Sequence, residues 1–133
     1  MAAVYPSTAA IYLFRISAAL NAISVPGHIA FGKEHVDPSL ETLSKGTRQQ
    51  RTAAAGTANG WDYMNAGFAT LAVYNYYWSI TGGPKTTPEK TLFWSLLAAS
   101  LWAARRYAAA GVYSPLTSVA VAPLLSLAGW YAA

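Results

Sequence analysis

The sequence predicts an all-α fold: an up-and-down bundle of four transmembrane helices in one domain, residues 1–133, with a long loop between helices one and two. Three observations predict it. Hydrophobic residues make up 54% of the 133-residue chain and charged ones 11%, less than half the roughly 25% of an average soluble domain. Four apolar segments, 9–31, 61–80, 92–113 and 114–133, fill most of the chain. Each approaches the ~20 residues a helix needs to cross a hydrocarbon core of about 30 Å. Tyrosine and tryptophan gather at the segment ends, as amphipathic rings do at headgroup level.

The elements follow in order. Segment one has no Asp, Glu, Lys or Arg over 16–32. A cleaved leader is not expected there, because Met1 to Ala10 lacks Lys and Arg and Arg15 would interrupt the apolar region. Pro26-Gly27 should kink this helix. The 32–60 connection is the long loop. In it, Asp37-Pro38 reads as an N-cap with proline at the first helical position, opening a short interfacial helix over 39–43. The Ala-rich 47–58 stretch could extend the second helix outward. Gly82-Gly83-Pro84 and Pro88 mark a tight turn. Gly111 and Pro115 bracket the last connection, and Pro123 should kink the fourth helix.

In an up-and-down bundle, Tyr5, Tyr12, Tyr74, Tyr76, Tyr77, Trp78, Phe93, Trp94, Trp130 and Tyr131 fall at one face, and Trp61, Tyr63, Tyr107 and Tyr113 at the other. The second face also carries Lys33, Lys45, Arg48 and Arg51 in the long loop, so the positive-inside rule places that loop in the cytosol. The expected location is an integral membrane position, with the endoplasmic reticulum as candidate organelle. Arg15 reads as a snorkelling anchor.

Polar residues inside the segments are the candidate site. Ser17, Asn21, Ser24 and His28 recur at helical spacing, and so do Asp62, Asn65, Ala69, Ala72 and Tyr76. At a rise of ~1.5 Å per residue, His28 and Asn65 lie about 5 Å inside the loop-side boundary and Arg105 about 10 Å. Antiparallel neighbours would bring His28, Asp62, Asn65, Arg105 and Arg106 to similar heights. A charge in hydrocarbon costs roughly 2.5–3.5 kcal/mol on the lenient insertion scale, and pairing Asp62 with an arginine would offset part of it. Each residue also has a plain structural use: Asp62 at a helix start, His28 as a cap after a kink, the asparagines as packing glue.

Several chemistries are excluded or disfavoured. The chain has no cysteine and two histidines, His28 and His35, without metal-ligand spacing, so no metal and no cofactor are expected. There is no phosphate loop or nucleophile elbow. The nine Lys and Arg are scattered, which argues against nucleic acid as partner. What remains is acid–base work on a lipophilic small molecule. Asp62 is the candidate base, His28 the proton donor or shuttle, and Arg105 the oxyanion stabiliser. Asn21, Asn65, Arg106, Tyr63, Tyr107 and Tyr113 are candidates for orienting substrate. Epoxide hydrolysis, cyclisation and isomerisation suit this set. The alternative is a non-catalytic accessory or assembly subunit of a larger membrane complex. Membrane lipids are expected partners; a second copy of the chain or pathway enzymes are left open.

The run Asn21-Ala22-Ile23-Ser24-Val25-Pro26-Gly27-His28, with Trp61-Asp62-Tyr63-Met64-Asn65 after it, resembles small four-helix membrane proteins of fungal polyketide and terpenoid biosynthesis. The resemblance covers the first two helices and their loop. It implies a place in secondary metabolism as a hydrolase or cyclase, with Asp62 and His28 as the positions carried over.

Overall fold

The computed structural model describes residues 5–133, and every regular element among them is helical. Helix α1 (Thr8–Phe31) passes through a π-helical turn, Gly32–Val36, into α2 (Asp37–Ser44). Helix α3 spans Arg48–Thr81 and α4 spans Thr87–Ala109. A second π-helical turn, Thr117–Val121, leads into α5 (Ala122–Tyr131). Four continuous helical rods therefore stand where four apolar segments were expected. Of the N-terminal stretch used in the leader-peptide argument, Met1 to Val4 lie outside the described residues.

The long loop is corrected. Between α1 and α3 only residues 45–47 leave helical geometry. Two local causes extend the helices into it. Thr47 and Gln50 form a reciprocal cap: the Thr47 N–H donates to Gln50 Oε1 at 2.8 Å and the Gln50 N–H to Thr47 Oγ1 at 3.3 Å. That arrangement satisfies two orphan donors at the start of α3. On the other side, the chain runs from α1 into α2 through the π turn, so Asp37 is the first residue of α2 and not its N-cap.

Each π turn precedes an X-Pro pair, Asp37-Pro38 or Ala122-Pro123. The N–H of Asp37 reaches back to Gly32 O and that of Ala122 to Thr117 O. A proline ring crowds the carbonyl four residues earlier and supplies no N–H, and one widened turn relieves both problems. Pro26 behaves otherwise: α1 keeps its helical assignment through it.

By length and composition, the continuous helix Thr8–Ser44, 37 residues near the N-terminus, is able to cross a membrane. It is the one helix among the described residues that meets this test. Asp62, Asn65 and Asn75 dilute the apolar character of α3, Lys90, Arg105 and Arg106 confine that of α4, and Thr117–Tyr131 is a shorter apolar helix.

The described chain falls into two compact units, residues 5–21 with Leu71–Ala133, and Ala22–Thr70. In the first, α5 runs antiparallel to α1. Ser7 Oγ donates to Ala132 O at 2.6 Å, and ten residues along Ser17 Oγ donates to Ala122 O at 2.8 Å. The core is Phe14, Trp78, Phe93 and Leu97, flanked by Tyr74, Leu127 and Trp130. Ring centroids lie 6.2 Å apart for Phe14–Trp78, 5.5 Å for Trp78–Phe93 and 4.9 Å for Phe93–Trp130. This corrects the aromatic belt in part. Trp78 and Phe93 are buried, whereas Tyr5, Tyr12, Tyr76, Tyr77, Trp94 and Tyr131 are exposed. The helix ends converge there, so inward-pointing rings pack on one another and only the outward ones remain at the surface.

Two caps close this end. Gly83 has φ +96°, and a Cβ on it would lie 2.6 Å from Trp130 Cδ1. At the start of α4, Glu89 Oε2 accepts from the N–H groups of Thr86 (2.8 Å) and Lys85 (3.1 Å) and from Thr86 Oγ1 (2.8 Å). These bonds, the Thr86 N–H first, hold its carboxyl below the ordinary glutamate value. Gly83→Ala should cost about 1–2 kcal/mol in backbone strain alone and lower Tm by several degrees, with a perturbed near-UV signal from Trp130. The Glu89 contribution is complete above the ordinary glutamate value and is lost as pH falls through the lowered folded one. Thermal unfolding followed by circular dichroism should show a loss of stability on acidification that Glu89→Gln makes shallower.

Candidate functional site

The polar group best built into the second unit is the His28 imidazole. It projects from the last turns of α1 onto one face of α3, where Trp61, Asn65 and Phe68 recur at intervals of four and three. Asn65 Oδ1 lies 3.0 Å from His28 Nδ1. An amide oxygen only accepts, so Nδ1 carries the hydrogen and Nε2 presents the lone pair of the neutral ring. The Trp61 indole stacks on the imidazole with centroids 3.9 Å apart and planes 12° from parallel. Phe68 meets its edge at 5.5 Å. Trp61 Nε1 donates to the His28 backbone oxygen at 3.3 Å, tying the same indole to both parts of the residue.

The Trp61 ring is itself held. Phe31 stacks against it at 6.0 Å and 18°. Gly32 leaves the space it occupies: a Cβ there would lie 2.5 Å from Trp61 Nε1. His28 Nε2 is shielded from solvent and has no hydrogen-bond partner among the described residues. Asn21 Oδ1 and Trp78 Nε1, in the first unit, are likewise buried without a partner among the described residues, and of the three atoms His28 Nε2 is the one that can take up a proton near neutral pH.

Of the expected site residues, the structure brings His28 and Asn65 together directly. Asp62 and Tyr63, on the same helix, are exposed, Tyr63 at 82%. The expected stripe of Asp62, Asn65, Ala69 and Ala72 is displaced by one residue from the face that packs, which is Trp61, Asn65 and Phe68. Trp61 had been read as an interfacial ring and Phe68 had no assignment, although their spacing with Asn65 was visible. Asp62 and the arginines expected to pair with it, Arg105 and Arg106, belong to different units. The ion pairs among the described residues are His35–Glu34 and Lys45–Glu41, and neither involves Asp62 or an arginine.

In the first unit, Arg105 and Arg106 are exposed near the C-terminal end of α4, Tyr107 is half-buried and Tyr113 is 67% exposed. Asn21 is fully buried and donates from Nδ2 to Ser17 O at 2.8 Å. Two polar residues that carried no expectation are buried here. Ser126 Oγ donates to Asn75 Oδ1 at 2.5 Å, and Asn75 Nδ2 donates to Leu71 O at 2.8 Å. Among the described residues no three His, Cys, Asp or Glu gather as a metal-holding group. No protein-family profile, curated protein or solved structure matches the chain.

The His28 geometry has a direct readout. Nitrogen spectra of ring-labelled protein in detergent should show His28 as the Nδ1–H tautomer, with exposed His35 as internal reference. Asn65→Leu should abolish that preference. Gly32→Ala should displace the Trp61 indole and alter the His28 ring shifts while Asn65 remains. An Nε2–H signal for His28 in the unaltered protein would overturn the assignment.

Proposed function

We propose that this chain is an integral membrane protein whose four apolar segments cross the bilayer, with the 32–60 connection cytosolic, and that it performs acid–base chemistry on a lipophilic small molecule. The oriented imidazole carries the proposal. Asn65 holds the hydrogen on Nδ1, and the Nε2 lone pair is the proton acceptor. The aromatic walls from Trp61, Phe31 and Phe68 suit an apolar substrate, which enters by displacing the contacts that cover Nε2. In a double-bond isomerisation Nε2 takes a proton from one carbon and the resulting imidazolium returns it to another, so atoms balance without a cofactor. In epoxide hydrolysis the same base would take a proton from the attacking water, and the imidazolium would return it to the oxygen freed when the C–O bond breaks; in cyclisation of an epoxide a substrate hydroxyl replaces the water. Asp62, next to Trp61 on α3, is the candidate for stabilising the charge that develops on the ring. The resemblance of the 21–28 and 61–65 runs to fungal polyketide and terpenoid pathway proteins supports a place in secondary metabolism.

The second reading is the accessory or assembly subunit. It is favoured by the exposure of Asp62, Tyr63, Arg105 and Arg106, side chains that a partner protein would cover. Deletion of the gene in its host, with profiling of lipophilic metabolites, separates the two. The enzyme predicts an accumulating precursor, restored to product by the native chain. His28→Ala should lower turnover by about 10²–10⁴-fold, the usual share of a general base, with the protein still present in membranes. Loss of a multi-subunit assembly, with no precursor accumulating, would establish the accessory reading instead.

A further inference from the structure

The formal net charge of +4 is confined to one unit. Residues 5–21 and Leu71–Ala133 carry Arg15, Lys85, Lys90, Arg105 and Arg106 against Glu89 alone, whereas Ala22–Thr70 balances four basic with four acidic residues. Glu89 is engaged in the cap at the start of α4, leaving Arg105 and Arg106 at the far end without an acidic partner among the described residues. Between Lys90 and Arg105 no residue of α4 is charged, and the rise across that interval is about 22 Å. Long basic side chains reaching outward at both ends fit such an interval to a hydrocarbon core of about 30 Å.

The Arg105 end is more than a loose charge. Its guanidinium lies over the Trp102 ring, 5.3 Å from the centroid, and Trp102 is 60% exposed. A cation–π contact at this distance holds the guanidinium beside the indole, and its N–H groups suit a bidentate oxyanion contact. Ala98, Leu101, Trp102 and Arg105 share one exposed face of the helix. An apolar strip that ends in a held cation matches a molecule with a hydrocarbon body and an anionic head, and tryptophan beside such a head is the usual interfacial placement.

We propose that the C-terminal end of α4 binds the phosphate of an anionic phospholipid headgroup, held by Arg105 over the Trp102 ring with Arg106 adding a second positive charge. The proposal rests on the reading that α4 crosses a membrane. It gives Arg105 a role other than oxyanion stabilisation and does not depend on His28.

The test titrates the purified full chain in detergent with phosphatidylglycerol and with phosphatidylcholine of the same acyl chains, counting retained lipid by native mass spectrometry. Phosphatidylglycerol should be retained several-fold better. Arg105→Gln and Arg106→Gln should each reduce retention by roughly fivefold, the scale expected per basic residue at an anionic surface, with helicity unchanged. Arg105→Lys should fall between, because it keeps the charge and loses the bidentate N–H groups, and Trp102→Leu should weaken retention with all charges present. Lys85→Gln with Lys90→Gln should leave retention intact. Equal retention of the two lipids, equal loss in the lysine variants, or displacement of the lipid by millimolar inorganic phosphate would overturn the proposal. Recovery of the chain from the aqueous fraction without detergent would overturn the membrane reading itself, before any lipid is added.

Discussion

Most polar side chains buried among the helices of this chain find a partner in neighbouring protein. With so few charges and so much apolar surface, the structure does so by short side-chain bonds. Ser17 reaches the Ala122 carbonyl, Ser126 reaches Asn75, Asn75 and Asn21 fold back on carbonyls four residues earlier, and His28 takes Asn65. Each bond between helices sets a register. Ser7–Ala132 and Ser17–Ala122 lock α1 against α5 at two heights. Such bonds add modest stability inside a membrane, about 0.6 kcal/mol on average, but an alternative register would leave several donors and acceptors unpaired at once. They specify the packing more than they strengthen it.

The fold is legible where a single strong signal acts. The apolar run 9–31 marks α1 within one residue, whereas the apolar segment from 92 begins five residues inside α4, whose reciprocal cap Thr86-Thr87-Pro88-Glu89 is visible in the sequence. The Thr47–Gln50 cap was equally visible, and reading it would have moved the start of α3 thirteen residues earlier than the apolar segment does. The π turns were not legible. They arise from how a proline ring meets a helix that tertiary contacts keep from breaking, and nothing local distinguishes Pro38 and Pro123 from Pro26. The aromatic belt was half legible for a related reason: composition puts Trp78 and Tyr77 at the same depth, and only packing decides which one turns inward.

At the candidate site, spacing identified the partners of His28 to within one residue. Choosing polar residues as the mark of the inward face selected Asp62 and Ala69. The face that packs is marked by Trp61 and Phe68, because an imidazole in an apolar setting is held mostly by rings and needs one polar contact to set its tautomer. Polarity signalled the chemistry, and aromatic spacing signalled the geometry. The charged candidates show the converse. A buried arginine needs a partner that compensates its desolvation, and Asp62, Arg105 and Arg106 avoid that cost by remaining exposed in their own units.

Two kinds of polar group thus have different histories in this fold. Ser17, Asn75 and Ser126 are bonded to neighbouring backbone or to one another, whereas Asn21 Oδ1, Trp78 Nε1 and His28 Nε2 are buried without a hydrogen-bond partner among the described residues. In His28 one nitrogen is bonded to Asn65, one ring face is covered by Trp61, and the second nitrogen is left with its lone pair. A residue serving only as packing glue would gain nothing from an uncompensated acceptor, since a leucine or phenylalanine could fill the same apolar space beside Trp61 and Phe68 without the cost. Asn21 is half-satisfied in the same way, so what separates His28 is the nature of its unpaired atom: an imidazole nitrogen is a base near neutral pH, whereas an amide oxygen and an indole N–H are not.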